Sequence, residues 1–380
     1  MASTVTWDGL RNLAGFRAQN GCAISLYLDL DPSDTPTAAT ADTRVNALID
    51  EVERSEAARR PELTHEQKEG LRADVERLRN YFENEFDRDG THGLAVFCAS
   101  LDNLWTPLPL SASVPDAIKV NRSLHLAPLV ALVGRGEGAL VVFVGRERGD
   151  LLRLRGGRLE EIVEQHDETP GRHDQGGWSQ ARYQRHIDKL VHDHLKEVAE
   201  HVDECMRKLR WPRLIVVASE ETRSEFEEVL SNEARKAIIG WTTAEAHATP
   251  ADLLELVEPL LESWRGEQET EAVERWKEAA GRNTRAASGW GPTLEAASDG
   301  RVDLLLFQEG ADHAAWECPA CGRVGLEGGA CPLDGTEMEQ RDDGLDLAVH
   351  QTLAHGGTVL ALQQRHDLEP VEGIGALLRF

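Results

Sequence analysis

The chain has no apolar stretch that approaches the ~18 consecutive residues a membrane-spanning helix needs. Its best runs, Ala139 to Val144 and Leu214 to Ala218, have the length of strands. It also lacks a basic start followed by an apolar core. The first residues carry Trp7, Asp8 and Arg11 instead, so no secretory signal is expected, and the expectation is a soluble, cytoplasmic protein. Cysteine is too sparse for a disulfide framework: there are six in 380 residues, and Cys22, Cys98 and Cys205 stand alone as small residues suited to burial. Positive charge is in short supply. With 41 Lys and Arg against 67 Asp and Glu, the net charge of -26 repels nucleic acid over most of the surface and excludes a sequence-nonspecific binder. Any RNA contact must therefore be local, and neither DNA nor membrane is an expected partner. No repeat with a period of about 20–50 residues is present.

What is present is enough apolar material, 41% of residues, to bury more than one core, and 380 residues favour two or three domains. An apolar run from Ala23 to Leu30 ends at Asp31 and Pro32, as a buried strand would. Helical faces follow at Val45, Leu48, Ile49 and Val52, then at Leu71, Val75, Leu78, Phe82 and Phe86, and Gly93 to Cys98 is again strand-like. This predicts an N-terminal α/β domain over 1–125, closed by the proline-containing stretch Trp105 to Pro115. From Leu129, three runs (Leu129 to Val133, Ala139 to Val144, Asp150 to Arg155) suggest a meander of hairpins. A polar, Gly-rich exposed loop is expected over His166 to Gln180. A long helix follows between Ser179 and Arg210, then a strand at Leu214 to Ala218 and a helix near Thr222, giving a middle domain over 126–262. A charged helical linker, Glu267 to Ala280, opens the third domain, 263–380. There strands Val302 to Gln308 and Thr358 to Leu362 alternate with helices around a Cys-rich insertion at 316–340, as in a small α/β sandwich. The fold class expected overall is multidomain, α/β and α+β.

Two constellations could carry chemistry. Cys318 and Cys321 have knuckle spacing, and Cys331 is followed three positions later by Asp334, where a second cysteine would complete four thiolates. Zn2+ accepts carboxylate and imidazole too, so Asp334, His313 or His350 could supply the fourth bond. The alternative is a ribbon that folds without metal. No general base stands nearby, which favours a structural Zn2+ over a catalytic one, and no organic cofactor is expected. The second constellation is Gly176, Gly177, Trp178, Ser179, Gln180. Paired glycines let backbone approach another molecule, and Ser179 is a natural N-cap for the helix beyond. At 100° per residue, Ile187, Leu190, Val191, Val198, Val202, Cys205 and Leu209 fall on one side of that helix. Arg182, Arg185, Lys189 and Lys196 fall on the other, while His194 faces the apolar side as a core residue. A cationic stripe beside a Gly-rich tip, in so acidic a chain, is where phosphate contact is expected; a solvated face paired with Asp193 is the plainer alternative.

These residues resemble a known family. Gly176, Gly177, Ser179, Arg182, Tyr183 and Arg185 fall in step with the Gly-Gly-Gln loop and following helix of archaeo-eukaryotic class-1 peptide release factors. Ser288 to Gly291, Val302 to Leu306, Gly356 to Val359 and Gly373 to Phe380 resemble the third domain that those factors share with Pelota, zinc-ribbon insertion included. Tyr27 to Pro32 looks like the N-terminal domain of the bacterial branch, which is related also to Vms-type peptidyl-tRNA hydrolases. One departure stands out: the family's glutamine follows the glycines directly, whereas here Trp178 takes that place and Gln180 comes two residues later.

The resemblance implies a release or rescue factor whose loop enters the ribosomal peptidyl-transferase centre. Gly176, Gly177 and Gln180 would act at the ester of peptidyl-tRNA, and Trp178, Arg182, Arg185 and Lys189 on RNA. Its partners would be the ribosome (rRNA and peptidyl-tRNA) and a translational GTPase. The alternative is a non-catalytic ribosome-binding hibernation or stress factor resembling Pelota. The acidity alone is also met by a chain kept soluble in salt that binds no ribosome.

Overall fold

The structure is a computed structural model that describes residues 5, 7–35, 37–54, 63–88, 91–110, 112–133, 139–155, 158–163, 178–209, 213–282 and 284–380; for 38, 53, 155, 163 and 178–184 the description is of the backbone alone. Two compact units result: Met1–Arg135 together with Gly266–Phe380, and Gly136–Arg265.

The first stretch of the chain contains α1 (Trp7–Ala14), β1 (Ala23–Asp29), α2 (Ala38–Arg54), α3 (His65–Asn84), β2 (Gly93–Ala99), β3 (Leu104–Leu110), β4 (Ala117–Asn121) and α4 (Ala127–Val133). Its sheet has the order β3-β2-β1-β4 and is antiparallel throughout, so this stretch is α+β in kind, where the sequence suggests α/β. Alternation along β1 explains why all seven residues are buried. Ile24, Leu26 and Leu28 pack with Val45, Ile49 and Leu78 of α2 and α3, while Ala23 and Tyr27 face the cluster that holds Leu10, Leu129 and Val130. The start of α3 is fixed by a capping box, Thr64 and Gln67 each accepting the other's backbone N–H.

Two expectations fail here, each for a physical reason. The proline-containing stretch after Trp105 is the strand β3. Pro107 and Pro109 lie two apart, so their missing donors point the same way, which an edge strand tolerates when that way is the open side. Leu129–Val133 is the helix α4 and not a strand, because a short apolar run carries no period that separates the two. Its first turn is held by Asp346, whose carboxylate accepts the backbone N–H groups of Leu126 (2.6 Å) and Ala127 (3.1 Å).

The middle unit contains β5 (Leu140–Val144), β6 (Gly149–Arg155), β7 (Arg158–Val163), α5 (Trp178–Lys208), β8 (Leu214–Val217), α6 (Glu220–Val229), α7 (Asn232–Ala237), β9 (Ile238–Thr242) and the first half of α8 (Pro250–Gly281). The sheet order is β7-β6-β5-β8-β9, with β5, β8 and β9 parallel and β6 and β7 antiparallel. Residues of alternate parity serve opposite faces. Leu140, Val142 and Val216 meet Val191, Val198 and Val202 of α5, whereas Val141, Phe143 and Ile215 meet Leu253, Val257 and Leu261 of α8. Gly149 lets α5 approach closely, since a Cβ there would lie 2.3 Å from Val198 Cγ2.

The expected linker Glu267 to Ala280 is the second half of α8, one continuous helix in which the sequence division at 262/263 also falls. Beyond it lie β10 (Ala286–Ser288), α9 (Trp290–Ser298), β11 (Val302–Gln308), β12 (Ala315–Glu317), β13 (Val324–Gly325), β14 (Glu339–Arg341), α10 (Gly344–Ala354), β15 (Thr358–Leu362) and β16 (Ile374–Leu378). The larger sheet is β10-β16-β11-β15, and a small antiparallel sheet, β13-β12-β14, carries the insertion. One face of the larger sheet packs on Trp276 of α8 and the other on Trp290 and Leu347. Leu347 and Trp290 belong to the same apolar cluster as Leu10, Tyr27 and Leu129, so the stretches read from sequence as separate domains share a core. Among the described residues, no helix is long and apolar enough to cross a membrane.

Candidate functional site

The two glycines expected at the reacting end, Gly176 and Gly177, lie outside the described residues, as does most of the expected exposed loop. Helix α5 begins at Trp178, so Ser179 and Gln180 sit in its first turn and Ser179 does not occupy the position before it. Of Trp178, Gln180 and Arg182 only the helical backbone is described. Arg185 and Lys189 are exposed, and Lys196 is exposed beside Glu200 (3.9 Å). His194 is buried, as its place on the apolar side predicts.

Among the residues of α5 whose burial is described, 185 onward, the buried stripe starts at Val191, and none of residues 185–190 is buried. The helix backbone therefore extends about 20 Å on the N-terminal side of Val191, at 1.5 Å per residue. From Val191 on, Leu195, Val198, Val202 and Met206 fix it to the sheet.

In the third stretch, Cys318, Cys321, Cys331 and Asp334 come together, each offering a ligand atom, with all four atoms within 4.8 Å of one another. Two turns of the same kind build the cluster. Gly322 N donates to Cys318 O (2.9 Å) and Gly335 N to Cys331 O (2.8 Å); Cys318 N donates to Arg323 O and Cys331 N to Thr336 O. Both glycines have left-handed backbone, φ +79° and +75°, which these turns require. Asp334 thus holds the place in the second turn that Cys321 holds in the first.

The Cys321 and Cys331 sulfurs are 3.6 Å apart, and Cys318 Sγ is 3.5 and 3.6 Å from the Asp334 oxygens. A tetrahedral metal about 2.3 Å from its sulfurs would set them about 3.8 Å apart, so the donor set fits a Zn2+ ion. Burial, reinforced by the neighbouring Cys318, Asp334 and Cys331, pushes the Cys321 thiol up to about 12. The Thr336 backbone N–H, aided by the thiols, holds the Asp334 carboxyl well below the usual range. Thiols gathered in this way give up their protons together only around a cation. His313 bonds to Ala314 O and stacks near Trp290, and His350 is buried close to Asp346; neither belongs to the four.

Sequence reasoning missed a chain of buried ions beside this cluster. Arg17 pairs with Glu317, the residue before Cys318; Glu317 pairs with Arg341 (2.7 Å), Arg341 with Asp343 (3.1 Å), and Asp343 accepts from Asn121 Nδ2 (2.8 Å). Nearby, His125 and Asp346 lie 3.1 Å apart. Burial works against charge on Asp346, but His125 and the α4 backbone outweigh it and keep the carboxyl below its usual range. Partners as distant as Arg17 and Glu317 have no signal in a single sequence.

Parts of the chain resemble known proteins. Residues 125–262 match the model of bacterial archaeo-eukaryotic release factor family 10. Peptide chain release factor subunit 1 of Archaeoglobus fulgidus is 26% identical over 281 residues, covering 67% of this chain and 69% of that protein. The same subunit of Thermococcus kodakarensis is 24% identical over 250 residues, covering 61% and 60%. Among solved structures, archaeal translation termination factor aRF1 aligns over 99% of each chain with 17% identity and a TM-score of 0.28. A middle unit built around α5 is the part of the chain that a release-factor model matches. The family match and the archaeal relatives support the bacterial branch of the archaeo-eukaryotic release factors.

Proposed function

We propose that this chain is a ribosome-associated peptide release or rescue factor that hydrolyses the ester between peptide and tRNA. The observation that carries the reading is α5: its buried stripe begins at Val191, exposed Arg185 and Lys189 precede it, and Gln180 stands in the first turn, within the stretch matched by the release-factor model. In this reading Gly176 and Gly177 bring bare backbone up to the ester, and Gln180 with a backbone N–H positions water. Trp178, Arg182, Arg185 and Lys189 hold RNA. Placement and preorganised hydrogen bonds supply the acceleration, and no strong base is required.

The test is peptide release from stalled ribosome complexes. Wild type should release peptide, and Gln180→Ala and Gly177→Ala should lose about 100-fold or more in rate. Equal release by all three would refute the assignment.

Trp178 favours a second reading. An indole directly after Gly177 could stack on an exposed base where the family's glutamine would otherwise sit, giving a factor that occupies vacant ribosomes without hydrolysis. Tight binding to empty ribosomes with no peptide release would select it. In either reading a translational GTPase is a proposed companion, and Cys318, Cys321, Cys331 and Asp334 hold a structural Zn2+ that ties the two turns of the insertion together.

A further inference from the structure

We propose that the first cysteine turn, Cys318 to Gly322, is the latch on which the first stretch of the chain is held, and that metal at the four-donor cluster keeps the latch closed. The proposal rests on the zinc reading above and adds a role to it. In the turn, the Cys321 N–H is directed at Cys318 Sγ (3.5 Å). Three carbonyl oxygens of the turn have donors from outside it. Arg17 reaches Cys318 O and Pro319 O (3.4 Å each), Arg122 donates to Pro319 O (2.9 Å), and Gln351 donates to Gly322 O (2.7 Å).

Arg17 and Arg122 act as a pair. Ala18 N donates to Arg122 O (2.8 Å), and Arg17 bridges to Ser123, so the two strands of backbone that carry the guanidinium groups are tied to each other. Arg17 also pairs with Glu317, which Arg341 holds from the other side. Space is tight at this contact: a Cβ at Gly322 would lie 3.2 Å from an Arg17 nitrogen.

Metal enters through shape and charge. Two backbone bonds shape the turn, Cys318 N to Arg323 O and Gly322 N to Cys318 O, and an ion bridging the four donors would fix it to the second turn as well. Hydrogen bonds from guanidinium to carbonyl are directional, and they weaken when the acceptors shift. Three thiolates and one carboxylate around a divalent cation carry a net charge of about -2, which the two arginines offset. Loss of the ion removes both the fixed carbonyl geometry and the charge centre that face Arg17 and Arg122.

The experiment is hydrogen exchange on the full chain, zinc-loaded and after treatment with EDTA, with bound zinc measured by elemental analysis. Removal of zinc should speed exchange at residues 15–20 and 119–126 by about tenfold or more while Leu214–Val217 of the other unit stays unchanged. The double variant Arg17→Met/Arg122→Met should still bind one zinc but exchange fast at those residues with or without it. Asp334→Cys should raise the EDTA concentration needed, with the exchange change moving in step. Zinc that leaves without altering exchange at 15–20 and 119–126 overturns the latch and spares the metal site. A purified chain that takes up no zinc overturns both.

Discussion

The two compact units handle charge differently. In the unit formed by the first and third stretches, Asp74, Glu269, Glu317, Arg341, Asp343 and Asp346 are all buried, whereas among the described residues of the middle unit the buried charged or imidazole side chains are Asp150 and His194. The middle unit is one contiguous stretch, and apolar alternation on both faces of its sheet suffices to fix its helices. The other unit must join parts far apart in sequence. Apolar burial alone is non-directional, so the ions at this joint set which atoms meet. Asp150 illustrates the contrast, since its partner Arg148 is only two residues away.

The largest expected effect comes from breaking that joint. Arg341→Met leaves Glu317 and Asp343 buried with their shared partner gone, and should cost about 3–5 kcal/mol in urea unfolding. A loss below about 1 kcal/mol would mean that these ions behave as surface pairs do, and the contrast between the units would fall.

Asp74 sharpens the comparison, because it is a buried carboxyl that the fold tolerates at a cost. Burial raises it to about 6, although it accepts the Ser100 N–H (2.9 Å). A carboxyl raised in the folded state holds its proton longer than in the unfolded chain, so its contribution to stability falls as pH climbs from about 4 to 6 and stays low above. Asp74→Asn keeps an acceptor for Ser100 and removes the ionisation. It should gain about 1–2 kcal/mol at pH 8, discounted for nearby solvent, and nothing at pH 3.5. Urea titrations at the two pH values check this, and an equal gain at both would assign the effect to packing.

How much of this was legible in the sequence depends on how local each signal is. β5 and β8 show as unbroken apolar runs, and β1 and β11 as mainly apolar ones, because their sheets are covered on both faces. The cysteine turns show as spacing, and the position of Asp334 as the fourth donor follows from the repeated turn. α4 was not legible, because seven apolar residues have no distinguishing period and Asp346, which caps it, lies over 200 residues away. β3 was hidden by prolines that only an edge position explains. The Arg17, Glu317 and Arg341 chain was invisible for the same reason as the α4 cap: each charge reads as an ordinary surface residue until the fold brings its partner. At α5 the long helix and its apolar side were read from periodicity, while the point at which burial begins, Val191, needed the structure.

The smallest expected effect on stability lies at that point. Lys189 is exposed in the part of α5 that precedes the buried stripe, so Lys189→Glu should change unfolding free energy by less than about 0.5 kcal/mol. If the helix presents this face to RNA, the same substitution should still reduce pelleting with ribosomes several-fold at low salt, and the deficit should shrink as salt screens both proteins. A destabilisation above about 1 kcal/mol would show that the first turns of α5 are packed against the unit. The middle unit would then bury charge as the other does, and the surface assigned to RNA would be lost with the contrast.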